Sequence, residues 1–190
     1  MKRLPLGDDA VVVTDLPIAP WRFAAAARDL GVQDAVASYT TVGLYGDHPD
    51  LNEILEHARS VAVLPREHLI PVRYDGEDLT EAAACLGLAP DDLIRLHSSA
   101  EYECAAVGFL AGFAYLGPLP EALRGVPRRS TPRPAVPAQS VAITGNQTAV
   151  YPIASPGGWA LIGTAVADVS TLNIQPGDRV KFHAEGAIGA

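Results

Sequence analysis

Lysine, sulfur and long apolar runs are scarce in this chain. Lys2 and Lys181 are its only lysines, so no phosphate-cradling loop of the G-x-x-x-x-G-K-[ST] type exists. H-E-x-x-H, G-x-S-x-G and paired C-x-x-C motifs are also missing. His48, His57, His68, His97 and His183 stand at intervals that fit no metal-ligand pattern, so no metal is expected. The two cysteines, Cys85 and Cys104, lie among alanines and leucines and read as buried, inert thiols of a reduced, cytoplasmic protein. No segment approaches the roughly 18 apolar residues of a membrane span, and Met1-Lys2-Arg3 opens a short mixed segment rather than an apolar signal core. No membrane partner is expected.

What the sequence does have is core-forming material. Of 190 residues, 48% are hydrophobic and 19% charged, and the net charge is −8, which describes an acidic chain of one large or two small domains. Through residue 67 there are 6 basic and 10 acidic residues, and beyond it 8 and 12, so each part nets −4. Neither part is a basic reader of nucleic acid.

The N-terminal part reads as a small α/β domain over residues 1–67. Ala10 to Thr14 is a β-branched run, Pro20 to Gly31 is alanine-rich and stops at glycine, and Val36 to Leu44 reads as another strand. Leu51, Ile54, Leu55 and Ala58 recur at helical spacing after Asp50, and Val61 to Leu64 then reads as a third strand. Pro65 interrupts the pattern, which puts the boundary at residues 65–70. Residues 68–190 begin with the strand Leu69 to Tyr74 and the polar turn Asp75-Gly76. Two short helices follow, one over 78–86 with Asp78 or Thr80 as cap, the next from Pro90 to His97. From Glu101 onward, short β-rich pieces alternate with glycine and proline, the pattern of a closed or nearly closed barrel. The fold class is therefore α+β.

Three pieces carry the chemistry. In the first, Gly108, Gly112 and Gly117 are interleaved with Phe109, Phe113 and Tyr115. Glycine admits close approach and the rings offer flat apolar walls; a bulged piece of barrel core is the competing reading. In the second, four prolines from Pro127 to Pro137 stiffen a strap bearing Arg128, Arg129, Thr131 and Arg133. Guanidinium groups held this way clamp a carboxylate or phosphate, or simply balance an acidic surface. In the third, Gln147 and Thr148 supply neutral hydrogen-bonding groups, Tyr151 and Trp159 supply rings, and Ser155-Pro156-Gly157-Gly158 forms a sharp turn able to aim backbone N–H groups at an anion or merely to join strands. His97 closes a helix, where it serves as a charged cap or as a general base.

The run from His97 through GFLAGFAYLG and VPRRSTPRPAVPAQSVAITGNQTAVYPIASPGGWALIG to PGDRVKF resembles the family containing the bacterial B-type 5-oxoprolinase subunit, allophanate hydrolase subunit 1 and the sporulation kinase A inhibitor. The resemblance covers residues 69–183. It implies a cyclophilin-like β-barrel that is inactive alone and pairs with an allophanate hydrolase subunit 2-like protein (the C-type 5-oxoprolinase subunit) and a LamB/YcsF-like subunit. With ATP and magnesium such a complex opens 5-oxo-L-proline to L-glutamate. The same resemblance allows a urea carboxylase-related subunit, or a binding module that inhibits a sensor histidine kinase. Carried over to this chain, it marks His97, Arg133, Gln147 and Tyr151 as candidates for catalysis and Phe113, Tyr115 and residues 155–159 as the accompanying face. Leu110-Ala111 stands where the family commonly has Thr-Pro, Gln139 and Asn146 replace common glycines, and residues 164–175 form a shorter segment. Asp75-Gly76-Glu77-Asp78 likewise lacks the family's longer glycine-rich run. Loss of glycines beside a tight site narrows it.

Overall fold

The computed structural model describes residues 1–186 as two units, Met1–Pro65 and a second that begins at Arg66. In the first unit, β1 (Lys2–Leu6) and β2 (Ala10–Thr14) form a hairpin, followed by α1 (Pro20–Asp29), β3 (Asp34–Ala37), β4 (Val42–Tyr45) and α2 (Leu51–Ser60). The sheet is antiparallel in the order β1-β2-β4-β3. Alternation explains its buried face, because Val11, Val13, Ala35, Ala37, Val42 and Leu44 all point to the side packed by Phe23, Ile54 and Leu55 of the helices. Proline at the first position starts α1, and the Asp50 carboxylate accepts from the Asn52 N–H at 2.8 Å to start α2.

Two sequence expectations fail in this unit. The single strand Val36–Leu44 is two strands, since Ser38 N–H donates to the Thr41 carbonyl and folds the chain back without glycine or proline. Val61–Leu64 is not a strand: among the described residues no strand pairs with it, and Leu64 is 85% exposed. Conversely β1 is a strand although each of its residues is exposed, because its backbone finds β2 rather than because its side chains find a core.

The second unit contains β5 (Glu67–Arg73), α3 (Leu79–Cys85), α4 (Pro90–Ser99), β6 (Glu101–Val107), β7 (Ala114–Gly117), β8 (Arg133–Val136), β9 (Ser140–Thr144), β10 (Gln147–Val150), β11 (Ser155–Gly157), β12 (Ala160–Ala165) and β13 (Arg179–Ala184). Seven strands close a barrel in the order β10-β7-β6-β13-β5-β12-β9, parallel only between β5 and β13, and β8 with β11 forms a separate two-stranded ribbon. Period-2 patterning fills the interior: Ile70 and Val72, Tyr102 and Cys104, Val180 and Phe182 point inward. Each such large side chain contributes about 1.5–3 kcal/mol through burial. Between them Arg179 and Lys181 point out and pair with Glu101. Where β5 and β13 start, the buried Asp178 accepts from His68 at 3.0 Å, Gln175 N–H at 2.9 Å and the Arg66 guanidinium at 2.8 Å. Burial alone would raise its pKa, but these bonds together hold it below the ordinary carboxylate value. Cys104 is buried, which pushes its thiol up to about 12. Cys85 is exposed, against the sequence expectation, because Ala82 and Ala83 take α3's packed side while Ala84 and Cys85 face away from it.

Candidate functional site

The first of the three pieces forms a tight loop between β6 and β7. Gly108 N–H donates to the Phe113 carbonyl and Phe113 N–H to the Leu110 carbonyl, while Gly112 and, more strained, Phe109 take positive φ of 79° and 74°. The loop thereby drops Phe113 into the molecule and leaves Phe109 61% exposed at the edge. Phe113 is the hub of the ring cluster, edge-on to Phe109 at 5.5 Å, Tyr115 at 5.0 Å, Tyr151 at 5.3 Å and Trp159 at 5.8 Å between centroids.

Above these rings opens a hollow of about 270 Å³, walled by Phe109, Phe113, Tyr115, Tyr151 and Trp159 and by Pro156, Gly157 and Gly158 of the ribbon end. Gly157 is glycine for a steric reason: a Cβ there would lie 2.4 Å from the Tyr151 hydroxyl oxygen. Burial, offset in part by the Trp159 backbone N–H, raises the Tyr151 hydroxyl above its ordinary pKa, so Tyr151 is a neutral donor here rather than a ready base. The proline-rich strap supplies the charged wall. Arg128 lies over the Trp159 ring at 5.9 Å, and Arg129 N–H donates to the Gly158 carbonyl at 2.8 Å, which ties the strap to the ribbon.

Other candidates are placed elsewhere. Arg133 does not face the hollow: one of its terminal nitrogens donates to both Asp78 oxygens at 2.7 and 2.8 Å and its Nε pairs with Glu77 at 2.6 Å, leaving its side chain 14% exposed. Nε and one terminal nitrogen are thus committed to two carboxylates, a structural tie, and the other terminal nitrogen is buried without a partner among the described residues rather than open to a ligand. His97 is fully buried in the barrel, stacked on Phe182 at 4.6 Å. Its Nδ1 meets the Tyr74 hydroxyl at 2.8 Å and its Nε2 meets Thr148 Oγ1 at 2.9 Å. Because the Thr148 hydroxyl donates to the Ala142 carbonyl, Nε2 carries the proton and Tyr74 donates to Nδ1. Burial lowers the imidazole's pKa from 6.5 to about 3, so His97 is neutral: neither a charged helix cap nor a base within reach of the hollow. Thr148 serves this core network. Gln147 stands half-buried beside the β9–β10 turn and does not line the hollow. Ser155 is buried and its hydroxyl has no partner among the described residues, Gly117 packs within 3.0 Å of the Asn146 carbonyl by its notional Cβ, and Gly108 faces open space. Among the described residues no group of His, Cys, Asp or Glu is placed to hold a metal, and no helix is long and apolar enough to cross a membrane.

His97 gives the fold a defined acid sensitivity. The unfolded chain takes up this proton near 6.5, whereas the folded chain resists it until about 3, so the stabilisation is complete above 6.5 and drains away as pH falls through that window. The contribution to the slope approaches about 1.4 kcal/mol per pH unit. Urea unfolding across the window is expected to show His97→Asn less stable than wild type at neutral pH but with a shallower acid decline; parallel declines would show that His97 is protonated in the folded barrel.

The sequence offers Asp78 only as a helix cap. It does occupy the N-cap position of α3, but its side chain is used elsewhere: its Oδ2 accepts from Leu161 N–H at 2.7 Å on β12, and its own N–H returns to the Leu161 carbonyl. The same carboxylate draws Arg133 and, at 3.4 Å, Arg129, so one buried aspartate joins the barrel wall to the strap. Its sequence signal, a short polar turn before a helix, is that of any cap.

A closed barrel that carries a ring-lined hollow, with a small sheet-and-helix unit before it, defines a class. Residues 4–174 match the family described as carboxyltransferase domain, subdomain C and D, and the chain belongs to that family. Among curated proteins it is 48% identical over 126 residues to the B-type 5-oxoprolinase subunit of Haemophilus influenzae, covering 62% of this chain and 59% of that protein. It is 46% identical over 123 residues to the B-type 5-oxoprolinase subunit of Bacillus subtilis, covering 60% of this chain and 50% of that protein. The chain thus spans between 50% and 59% of these relatives' lengths. The solved structure of TTHA0988 superposes with a TM-score of 0.78 at 36% identity, over 94% of this chain and 40% of that one.

Proposed function

We propose that the chain is a subunit of a 5-oxoprolinase, acting in the cytoplasm with an allophanate hydrolase subunit 2-like partner and a LamB/YcsF-like subunit, and inactive alone. One observation carries this beyond the likeness to proteins of that name: the hollow offers rings and a free guanidinium but no poised nucleophile or base. Its one hydroxyl-bearing wall residue with a shifted pKa is shifted upward, His97 is sealed in the core and Arg133 is tied to Asp78. A site so furnished binds and orients, and in this reading the groups that move protons are supplied by the partner subunits.

In this reading the flat five-membered lactam lies against Trp159 and Phe113 while Arg128 pairs with its carboxylate. The lactam amide is a poor electrophile. Transfer of the γ-phosphoryl group of ATP to its oxygen releases ADP and makes the ring carbon attackable by water; the phosphate then leaves and the ring C–N bond opens to give L-glutamate. ATP with magnesium is held by the assembled complex, and this chain contributes the cation that grips the carboxylate and so orients the reacting carbon. Phe109, exposed at the rim, provides an apolar contact for the partner that closes the hollow. Mixing the chain with both partner subunits, ATP and 5-oxo-L-proline should release ADP only when the lactam and every subunit are present. Absence of turnover in the complete mixture overturns the reading.

A further inference from the structure

A second hollow, of about 450 Å³, lies on the other side of the strap and falls within the roughly 300–1,000 Å³ usual for small-molecule sites. Its floor is apolar, formed by the buried Ala82 and Val126. One wall is α3, which presents Glu81; the other is the strap, which presents Arg128 and Arg129. Among the described residues no ion pair involves Glu81, and Arg128 touches only the Trp159 ring. Arg129 is paired with Asp78, which also lines the hollow, but at 3.4 Å, whereas Arg133 holds the same carboxylate at 2.7 Å. The groups open to a ligand are therefore Arg128 and the remaining donors of Arg129 on one wall and Glu81 on the other.

We propose that this hollow binds an acidic α-amino acid, with its ammonium on Glu81 and its two carboxylates on Arg128 and Arg129. A ligand with one carboxylate leaves Arg129 with only its long contact to Asp78, and a dicarboxylate without an ammonium leaves Glu81 unmatched. The hollow next to the rings has no carboxylate wall, so the two hollows select differently although they share both arginines. The choice of L-glutamate within this class rests on the oxoprolinase reading, in which it is the product passed across the strap; the charge inventory does not rest on that reading.

The test uses the intact chain alone. L-Glutamate, glutarate and γ-aminobutyrate are titrated calorimetrically, and alkylation of Cys85, the exposed thiol lining this hollow, is timed with and without each. L-Glutamate is expected to bind saturably and to slow Cys85 alkylation, with glutarate and γ-aminobutyrate each about tenfold weaker or more. Glu81→Gln, an exposed substitution checked for an unchanged melting temperature, should weaken L-glutamate about tenfold and leave glutarate unaltered. No saturable binding, equal affinity for glutarate, or a Glu81→Gln chain that binds L-glutamate like wild type overturns the proposal. A chain that binds this way yet supports no turnover with its partner subunits keeps this site and loses the oxoprolinase reading; turnover without such binding removes this site alone.

Discussion

Gly76→Ala should destabilise the barrel by about 3 kcal/mol or more, near the upper end for overpacking a site that cannot yield. Gly108→Ala should be neutral or slightly stabilising. A Cβ on Gly76 would lie 2.3 Å from the Leu161 oxygen and the Ile162 carbonyl carbon and 2.4 Å from the Gly163 nitrogen, all backbone atoms of β12. No rotamer relieves a clash with a strand in mid-barrel. Gly163 answers it from the other side, since its own Cβ would fall 2.5 Å from the Arg73 oxygen. The end of β5 and the middle of β12 therefore cross at backbone contact, and both must lack side chains there. Gly108 has open space around it and a φ outside the left-handed region, so alanine mainly restricts the unfolded chain, a gain of up to about 1 kcal/mol. Circular dichroism melts should show Gly76→Ala lower by about 6–12 °C, at roughly 2–4 °C per kcal/mol for a chain of this size. A Gly76→Ala chain that melts with wild type would show that the crossing relaxes.

These two glycines mark how far the sequence reads. The glycine-aromatic run draws attention to Gly108, yet the glycine with no steric freedom sits in the short turn beside Asp75, because tightness depends on what crosses the position. Patterning is sufficient where one face is buried: Val180 and Phe182 against Arg179 and Lys181 write a barrel strand in plain alternation, and Leu51, Ile54, Leu55 and Ala58 write a helix. It fails at Ser38–Thr41, a hairpin with no glycine or proline, and at Val61–Leu64, an apolar run that pairs with no strand among the described residues. In the candidate site, Phe113, Tyr115, Tyr151 and Trp159 do come together, because large rings flanked by glycine have few ways to be buried except on each other. The misplaced side chains are polar, and a polar residue's role is set by its partner. Arg133 is a tie because Asp78 and Glu77 meet it, and nothing in the strap announces either. His97 is different: Leu93 and His97 stand one helical turn apart on the buried face of α4, and that spacing by itself argues for a core histidine.

Asp78 is where fold and site meet, and its replacement should separate the two. Asp78→Ala leaves Leu161 N–H without its acceptor and Arg133 with Glu77 alone, a loss of about 3 kcal/mol or more as for other broken buried pairs. Asp78→Asn is the sharper probe. The amide oxygen can still accept from Leu161 N–H, so the barrel wall keeps its bond, but the charge that draws Arg133 and Arg129 is gone. What loosens is then the strap from Arg128, beside its tie to Gly158, to its entry into β8, the segment that walls both hollows. Arg128 and Arg129 lie in that segment and are trypsin sites. If removing the charge lowers the cost of local opening by about 1.4 kcal/mol or more, tryptic cleavage after them should quicken at least tenfold, with the melting temperature falling less than in Asp78→Ala. The Trp159 ring, which Arg128 covers, should at the same time become more accessible to an aqueous fluorescence quencher. Cleavage at the wild-type rate would mean that the prolines alone hold the strap, and that the buried carboxylate serves the barrel without serving the site.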